Sequence, residues 1–195
     1  QRTCGSTNKM NYYLNKNTQQ KEIRDKLEKN ILSKNSLYTK QSIIIPVVFH
    51  IVYNTNEQNI SDMQILSQLD VMNKDFNRTN SDALYTPSDF DSIVASMQIS
   101  FCLAKRTPSG NPTNGIIRQQ TNETEFQLFD TIIHYSNLGG SDAWDTEKYL
   151  NIWVTNISGG ILGWAQFPAA GNINTDGIVI DFKNFGTTGT SIPPY

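Results

Sequence analysis

Residues 42–53 read SIIIPVVFHIVY and residues 61–76 read SDMQILSQLDVMNKDF. The first stretch is apolar and β-branched, with only Pro46 interrupting, which predicts a buried strand with proline near its start. In the second, Ser61 is placed to cap a helix and Asp62 to favour its dipole. Ile65, Leu69, Met72 and Phe76 then recur on one face. Downstream, SMQISFCLAKR (96–106) alternates Met97, Ile99, Phe101 and Leu103 against Gln98, Ser100 and Cys102, the period of a half-buried strand. TPSGNPTNG (107–115) is a turn cluster, and GIIRQQ (115–120) a short strand. YLNIWVTNI (149–157), ILGWAQF (161–167) and DGIVIDF (176–182) add three strands between Gly- or Pro-bearing turns. A strand, a helix and then mainly strands predict an α+β fold, a mixed sheet with packed helices.

Residues 1–40 differ from this body. They are polar and rich in Lys and Asn, with one helical pattern in TQQKEIRDKLEKNILSKN (18–35) that spaces Ile23, Leu27 and Ile31. Such a narrow stripe can dock on a larger body but cannot support a fold alone. The expected organisation is therefore an appended segment, 1–40, and a globular body, 41–195. The 195 residues are 37% hydrophobic, enough for a core in a chain of this size. The net charge of −2 gives no reason to expect nucleic acid or an anionic membrane as partner. No apolar run approaches the roughly 20 residues of a membrane span.

Candidate chemistry is sparse. The two histidines are His50 and His134, and no HExxH is present. His50, inside the first strand, is expected to be a packed histidine bonded to backbone, and His134 a surface or partly buried structural residue. Asp176 and Asp181 flank a strand as turn formers. Cys4, in QRTCGS, is a thiol beside the chain's start, and Cys102 is the other cysteine. On these residues alone Cys4 is either a free or disulfide-linked thiol on a loose tail, or a group with a dedicated task.

One long stretch, GGSDAWDTEKYLNIWVTNISGGILGWAQFPAAGNINTDGIVIDFKNFGT (139–187), is far more specific. It resembles the pappalysin family of metzincin zinc metallopeptidases, particularly the ulilysin-like microbial members. IPVVFHIVYN (45–54) resembles the family's first strand, and ISDMQILSQLDVMNKDFN (60–77) its first long helix. ISFCLA (99–104) with GNPTNGI (110–116) resembles its second strand and hairpin. The resemblance implies a pro-segment over 1–40 and the upper subdomain of a catalytic domain over 41–195. It also gives RTCGS a role, since latent members carry an Arg-x-Cys-Gly element whose sulfur takes the open fourth position of the catalytic zinc. Cys4 would be that zinc ligand in the latent form only, with Arg2 pairing an acidic group and Gly5 letting the backbone pass close to the metal. The coordination chemistry agrees: zinc is tetrahedral, accepts thiolate at about 2.3 Å and lowers the thiol pKa. In metzincins an upper-rim strand runs antiparallel to the bound peptide. ILGWAQF resembles that strand, so Leu162, Gly163, Trp164, Ala165 and Gln166 are the expected substrate edge, with Gly163 easing close approach of the substrate. On composition alone the same run also suits an internal strand with Trp164 packed inside.

The departure from the family is that HExxHxxGxxH is absent before Tyr195. The expectation is thus the N-terminal portion of a secreted, latent zinc endopeptidase, inactive and without zinc by itself. A missing C-terminal half-domain would supply the three zinc histidines and the base glutamate, and has room for calcium. Expected partners are that half-domain and a protein or peptide substrate. The rival expectation is a non-catalytic peptide-binding or inhibitory module using edge strand 161–167.

Overall fold

The structure, a computed structural model, describes residues 3–33, 42–167 and 171–192. Seven strands form one sheet: β1 (Thr3–Cys4), β2 (Ile43–Tyr53), β3 (Ile99–Leu103), β4 (Ile116–Gln120), β5 (Leu150–Thr155), β6 (Ile161–Ala165) and β7 (Ile178–Asp181). The spatial order is β1-β6-β7-β5-β2, with β3 and then β4 along the far side of β2. β2 is parallel to β3, β4 and β5, and β5 is parallel to β7. β6 reverses direction against β7, and β1 follows β6. The mixed sheet with packed helices expected of an α+β fold is observed, and most of its pairings are parallel.

Pro46 is tolerated for a local reason. Odd residues of β2 bond toward β3 and β4, Phe49 N donating to Gly115 O at 2.9 Å and Ala104 N to Val47 O at 2.9 Å. The nitrogen of Pro46 therefore faces β5, whose pairing begins one residue later at Val47↔Leu150. The expected hairpin is short and lies between β3 and β4: Thr107 N donates to Asn111 O at 2.8 Å and Thr113 N to Lys105 O at 3.1 Å around the antiparallel Arg106↔Pro112 bridge. β3 and β4 themselves both run parallel to β2. The eleven-residue length of β2 explains this, because it accommodates both short strands end to end.

Both faces of the sheet are covered. Val47, Phe49 and Ile51 turn to one side with Ile152 and Val154, meeting Ile65 of helix α3 (Asp62–Phe76) and Phe185, whose ring lies edge-on to Phe49 at 5.6 Å. Val52, Trp153, Val179 and Trp164 turn to the other, under Phe126, Leu128 and Ile133. Ser61 caps α3, its Oγ accepting from Gln64 N at 3.2 Å.

The N-terminal segment holds two helices where one pattern is visible in the sequence, α1 (Ser6–Lys16) and α2 (Thr18–Ser33). The Ile23–Leu27–Ile31 stripe does not dock. Ile23 is 50% and Ile31 63% exposed. It is α1, with Lys9 buried, that packs on the sheet at β6. Packing by a polar helix through a lysine leaves no apolar periodicity to read.

Candidate active-site edge

The outer edge of β6 is the centre of the candidate site, and residues 3–5 lie along it. Thr3 N donates to Gly160 O at 3.3 Å and Gly5 N to Gly163 O at 2.8 Å. Ser6 Oγ, at the start of α1, accepts from Ala165 N at 2.9 Å. Among the described residues, no strand but this N-terminal one flanks β6 on that side, so the described body taken alone presents β6 as its edge. Leu162, Gly163, Trp164 and Ala165 lie within β6, whereas Gln166 follows it and bonds Asn172 O and Thr175 Oγ1.

A need for glycine at 163 is visible within the sheet. A Cβ there would stand 2.5 Å from Val179 O of β7, so Gly163 permits the β6–β7 approach within the sheet. At Gly5 a Cβ would meet Leu128 Cδ1 at 2.5 Å, which lets the segment lie flat on the body. Trp164 is 3% exposed, packed in the core cluster while belonging to β6.

Cys4 is exposed, pairs in register with Gly163, and its Sγ lies 3.4 Å from Ser6 Oγ. Bonds from the Ser6 side chain and then its backbone hold the thiol below its ordinary pKa, against a smaller opposing effect of burial. An exposed sulfur biased toward thiolate is a suitable single donor to a metal. It is free, as is Cys102, which excludes the Cys4–Cys102 disulfide. Arg2 lies outside the described residues. Among the described residues no three His, Cys, Asp or Glu side chains group as a metal site. These residues therefore fit zinc only as providers of one ligand, and calcium finds no support.

The two histidines serve the fold. His50 Nδ1 lies 2.8 Å from Ser141 Oγ and Nε2 lies 3.0 Å from Asn151 Oδ1, so its partners are side chains and not the expected backbone. The Ser–His–Asn arrangement resembles a nucleophilic triad, but all three are buried and Asn151 also clamps Trp144 N and O. Burial lowers the His50 pKa to about 4. His134 is 2% exposed, more deeply set than expected, and stands edge-on to Trp153 at 4.5 Å while His50 stacks on that ring at 4.9 Å. Burial first, then the charges of Lys9 and His50, lower the His134 pKa to about 3. Asp181 is the turn former expected, accepting from Lys183 N and Ile157 N at 3.0 Å each. Asp176 is half-buried just before β7, and burial raises its pKa.

Sequence reasoning missed Ser6, Lys9 and Asp130. Lys9 is 5% exposed, with Nζ 4.4 Å from the Trp164 ring centroid and 3.5 Å from Asp130 O.

Solved structures decide the family. A Glu→Ala variant of Tannerella forsythia promirolysin is 43% identical, with a TM-score of 0.90 over 100% of this chain and 64% of that one. The chain belongs to the pappalysin family of metzincins. Mature T. forsythia mirolysin in complex with a cleaved peptide is 48% identical, with a TM-score of 0.77 over 80% of this chain and 59% of that one. Mirolysin in complex with compound 9 is 50% identical, with a TM-score of 0.76 over 80% of this chain and 58% of that one. The chain thus spans less than two thirds of each of these pappalysin relatives. No protein-family model and no curated protein sequence matches it.

Proposed function

We propose that the chain is the N-terminal portion of a latent, secreted zinc metalloendopeptidase, with residues 1–40 as its pro-segment and 41–195 as its upper catalytic subdomain. One observation carries this reading: residues 3–5 occupy, as an added strand, the edge of β6 that a substrate peptide would use. The relatives support it. The proform matches the whole chain, while the mature enzymes match four fifths of it, and the remaining fifth is about the length of residues 1–40. The mature relative with a cleaved peptide supports peptide substrates for this chain. A non-catalytic peptide binder is not favoured beside a match of that extent to a protease proform.

In this reading Gly160 O and Gly163 O hold whichever extended segment lies on β6, by strand addition. The pro-segment strand runs parallel to β6. A metzincin substrate is expected antiparallel, so the segment fills the edge in the reverse sense and presents no bond in the productive direction. Ser6 keeps the Cys4 sulfur biased toward thiolate, ready to act as the fourth ligand of a metal. Zinc, when bound, supplies the polarisation that makes water nucleophilic at neutral pH. Its remaining ligands and the base would come from a C-terminal half-domain, matching the third or more of mirolysin that the chain does not span.

The test is Cys4→Ala in the full-length proenzyme, assayed on a peptide before any processing. Activity of the unprocessed enzyme should rise well above that of the parent. Latency unchanged by the substitution refutes the thiolate block.

A further inference from the structure

Lys9 is buried in an unusual setting for a lysine. Among the described residues its ammonium has one hydrogen-bond acceptor, the Asp130 carbonyl, and one aromatic face, that of Trp164. A buried ammonium is stable only where its surroundings replace water, and an indole face together with an acceptor is a recurrent solution. The walls contain more acceptor capacity than Lys9 uses. Asp130 Oδ1 is buried with no partner among the described residues, while Oδ2 is fixed by Gln127 N at 3.1 Å. The His134 ring, near enough for the Lys9 charge to help lower its pKa, is likewise buried with both nitrogens unpartnered among the described residues, and one of them is an acceptor in the neutral ring. The fit is close, since the cavity left between α1 and Trp164 is only about 10 Å³.

The walls and the lysine have different origins. Trp164 is held by its register with Val179, and His134 by its backbone bond to Thr131 O at 3.0 Å, neither of which needs α1. Lys9 belongs to the segment that leaves on maturation. We infer that Trp164, Asp130 and His134 frame a binding site for a primary alkylammonium, filled in cis by Lys9 and, after residues 1–40 depart, by a lysine side chain of a peptide lying on β6. The second half rests on the pro-segment reading above; the site itself does not.

The experiment uses the full chain carrying Lys9→Ala, which removes a propylammonium unit and leaves the Cβ. Hydrogen exchange is followed at the amides of Gly5 and Ala165, whose bonds to Gly163 O and Ser6 Oγ report docking of the segment. Exchange should quicken roughly tenfold, the scale of one desolvated cation–π contact. Millimolar n-propylammonium chloride should restore protection saturably, and 1-propanol with sodium chloride at matched ionic strength should not. Equal rescue by propanol, or no rescue by either, overturns the site. Should Lys9→Ala fail to fold, Asp130→Asn takes its place: faster exchange at the same amides is expected, and unchanged exchange overturns the inference. Neither readout needs zinc or proteolysis, so the site can fail while latency stands, and the reverse.

Discussion

Mild acid should destabilise this chain, through two buried histidines. His50 stacks on Trp153 and His134 stands edge-on to it, and both are buried neutral, with pKa values lowered from 6.5 to about 4 and about 3. A depressed folded-state pKa means that the unfolded chain binds more protons between that value and 6.5. Stability therefore falls as pH drops below 6.5 and levels off only below the folded values. At pH 5 both folded values still lie at least one unit lower, so each histidine costs about 2 kcal/mol relative to pH 7.5. Together they remove about 4 kcal/mol, a large part of the stability of a domain this size. Of the carboxylates with shifts, Asp142 and Asp145 are lowered from 3.8 and stay ionised in that window. Burial raises Asp176 and Asp181, whose protonation favours the folded state and offsets part of the loss as pH falls toward their range. Urea denaturation followed by Trp fluorescence at pH 7.5, 6.5, 5.5 and 5.0 measures the loss. His134→Phe keeps an aromatic ring against Trp153 and removes one titration, so its stability between pH 7.5 and 5 should fall by half as much. A wild-type midpoint that is flat between pH 7.5 and 5, or a His134→Phe profile parallel to it, would refute the reasoning.

Other outcomes follow from single side chains. Gln64, 1% exposed, donates to Phe182 O and Phe185 O and accepts from Thr190 N, stitching residues 182–190 to α3. Gln64→Leu should cost about 2–4 kcal/mol in urea denaturation, since it strands buried backbone groups; a cost below about 1 kcal/mol would contradict the network. Ser6→Ala removes the largest influence that lowers the Cys4 pKa, so the midpoint of iodoacetamide alkylation against pH should move up. An unmoved midpoint would mean that Ser6 does not tune the thiol.

The elements legible in the sequence were those whose pattern reflects burial in the body itself. β2 and α3 were readable because Val47, Phe49, Ile51 and Ile65 face one core, and Ser61 caps as its type predicts. The neighbours of β2 were less legible. Alternation in β3 gives the faces of that strand but not its partner, and both β3 and β4 prove parallel to β2. At the site, the edge strand and Cys4 were visible through family likeness, and their mutual placement only in the structure. Lys9, Ser6 and Asp130 were invisible because each acts by long-range proximity, 121 residues separating Lys9 from Asp130. At Gly163 the structure adds a cause that the sequence does not carry, since a Cβ there would meet Val179 O of the neighbouring strand.

The strength of the segment's hold can be argued from what keeps it on β6. Two backbone bonds, the Ser6–Ala165 bond, the Lys9–Trp164 contact and the Tyr12–Phe129 ring pair at 5.1 Å make five modest interactions. At about 1 kcal/mol each they supply roughly 5 kcal/mol, equivalent to a sub-millimolar dissociation constant. While the segment is tethered, its effective concentration is of millimolar order, so it stays docked even before any sulfur–metal bond is added. If residues 1–40 are the pro-segment proposed above, a cut between α2 and β2 would make it rebind from bulk solution at far lower concentration, and it would leave. Latency of that kind would require no rearrangement of the body. One edge, with the same carbonyl groups, would serve the inhibitor in cis and the peptide in trans, with the tether deciding which of them occupies it.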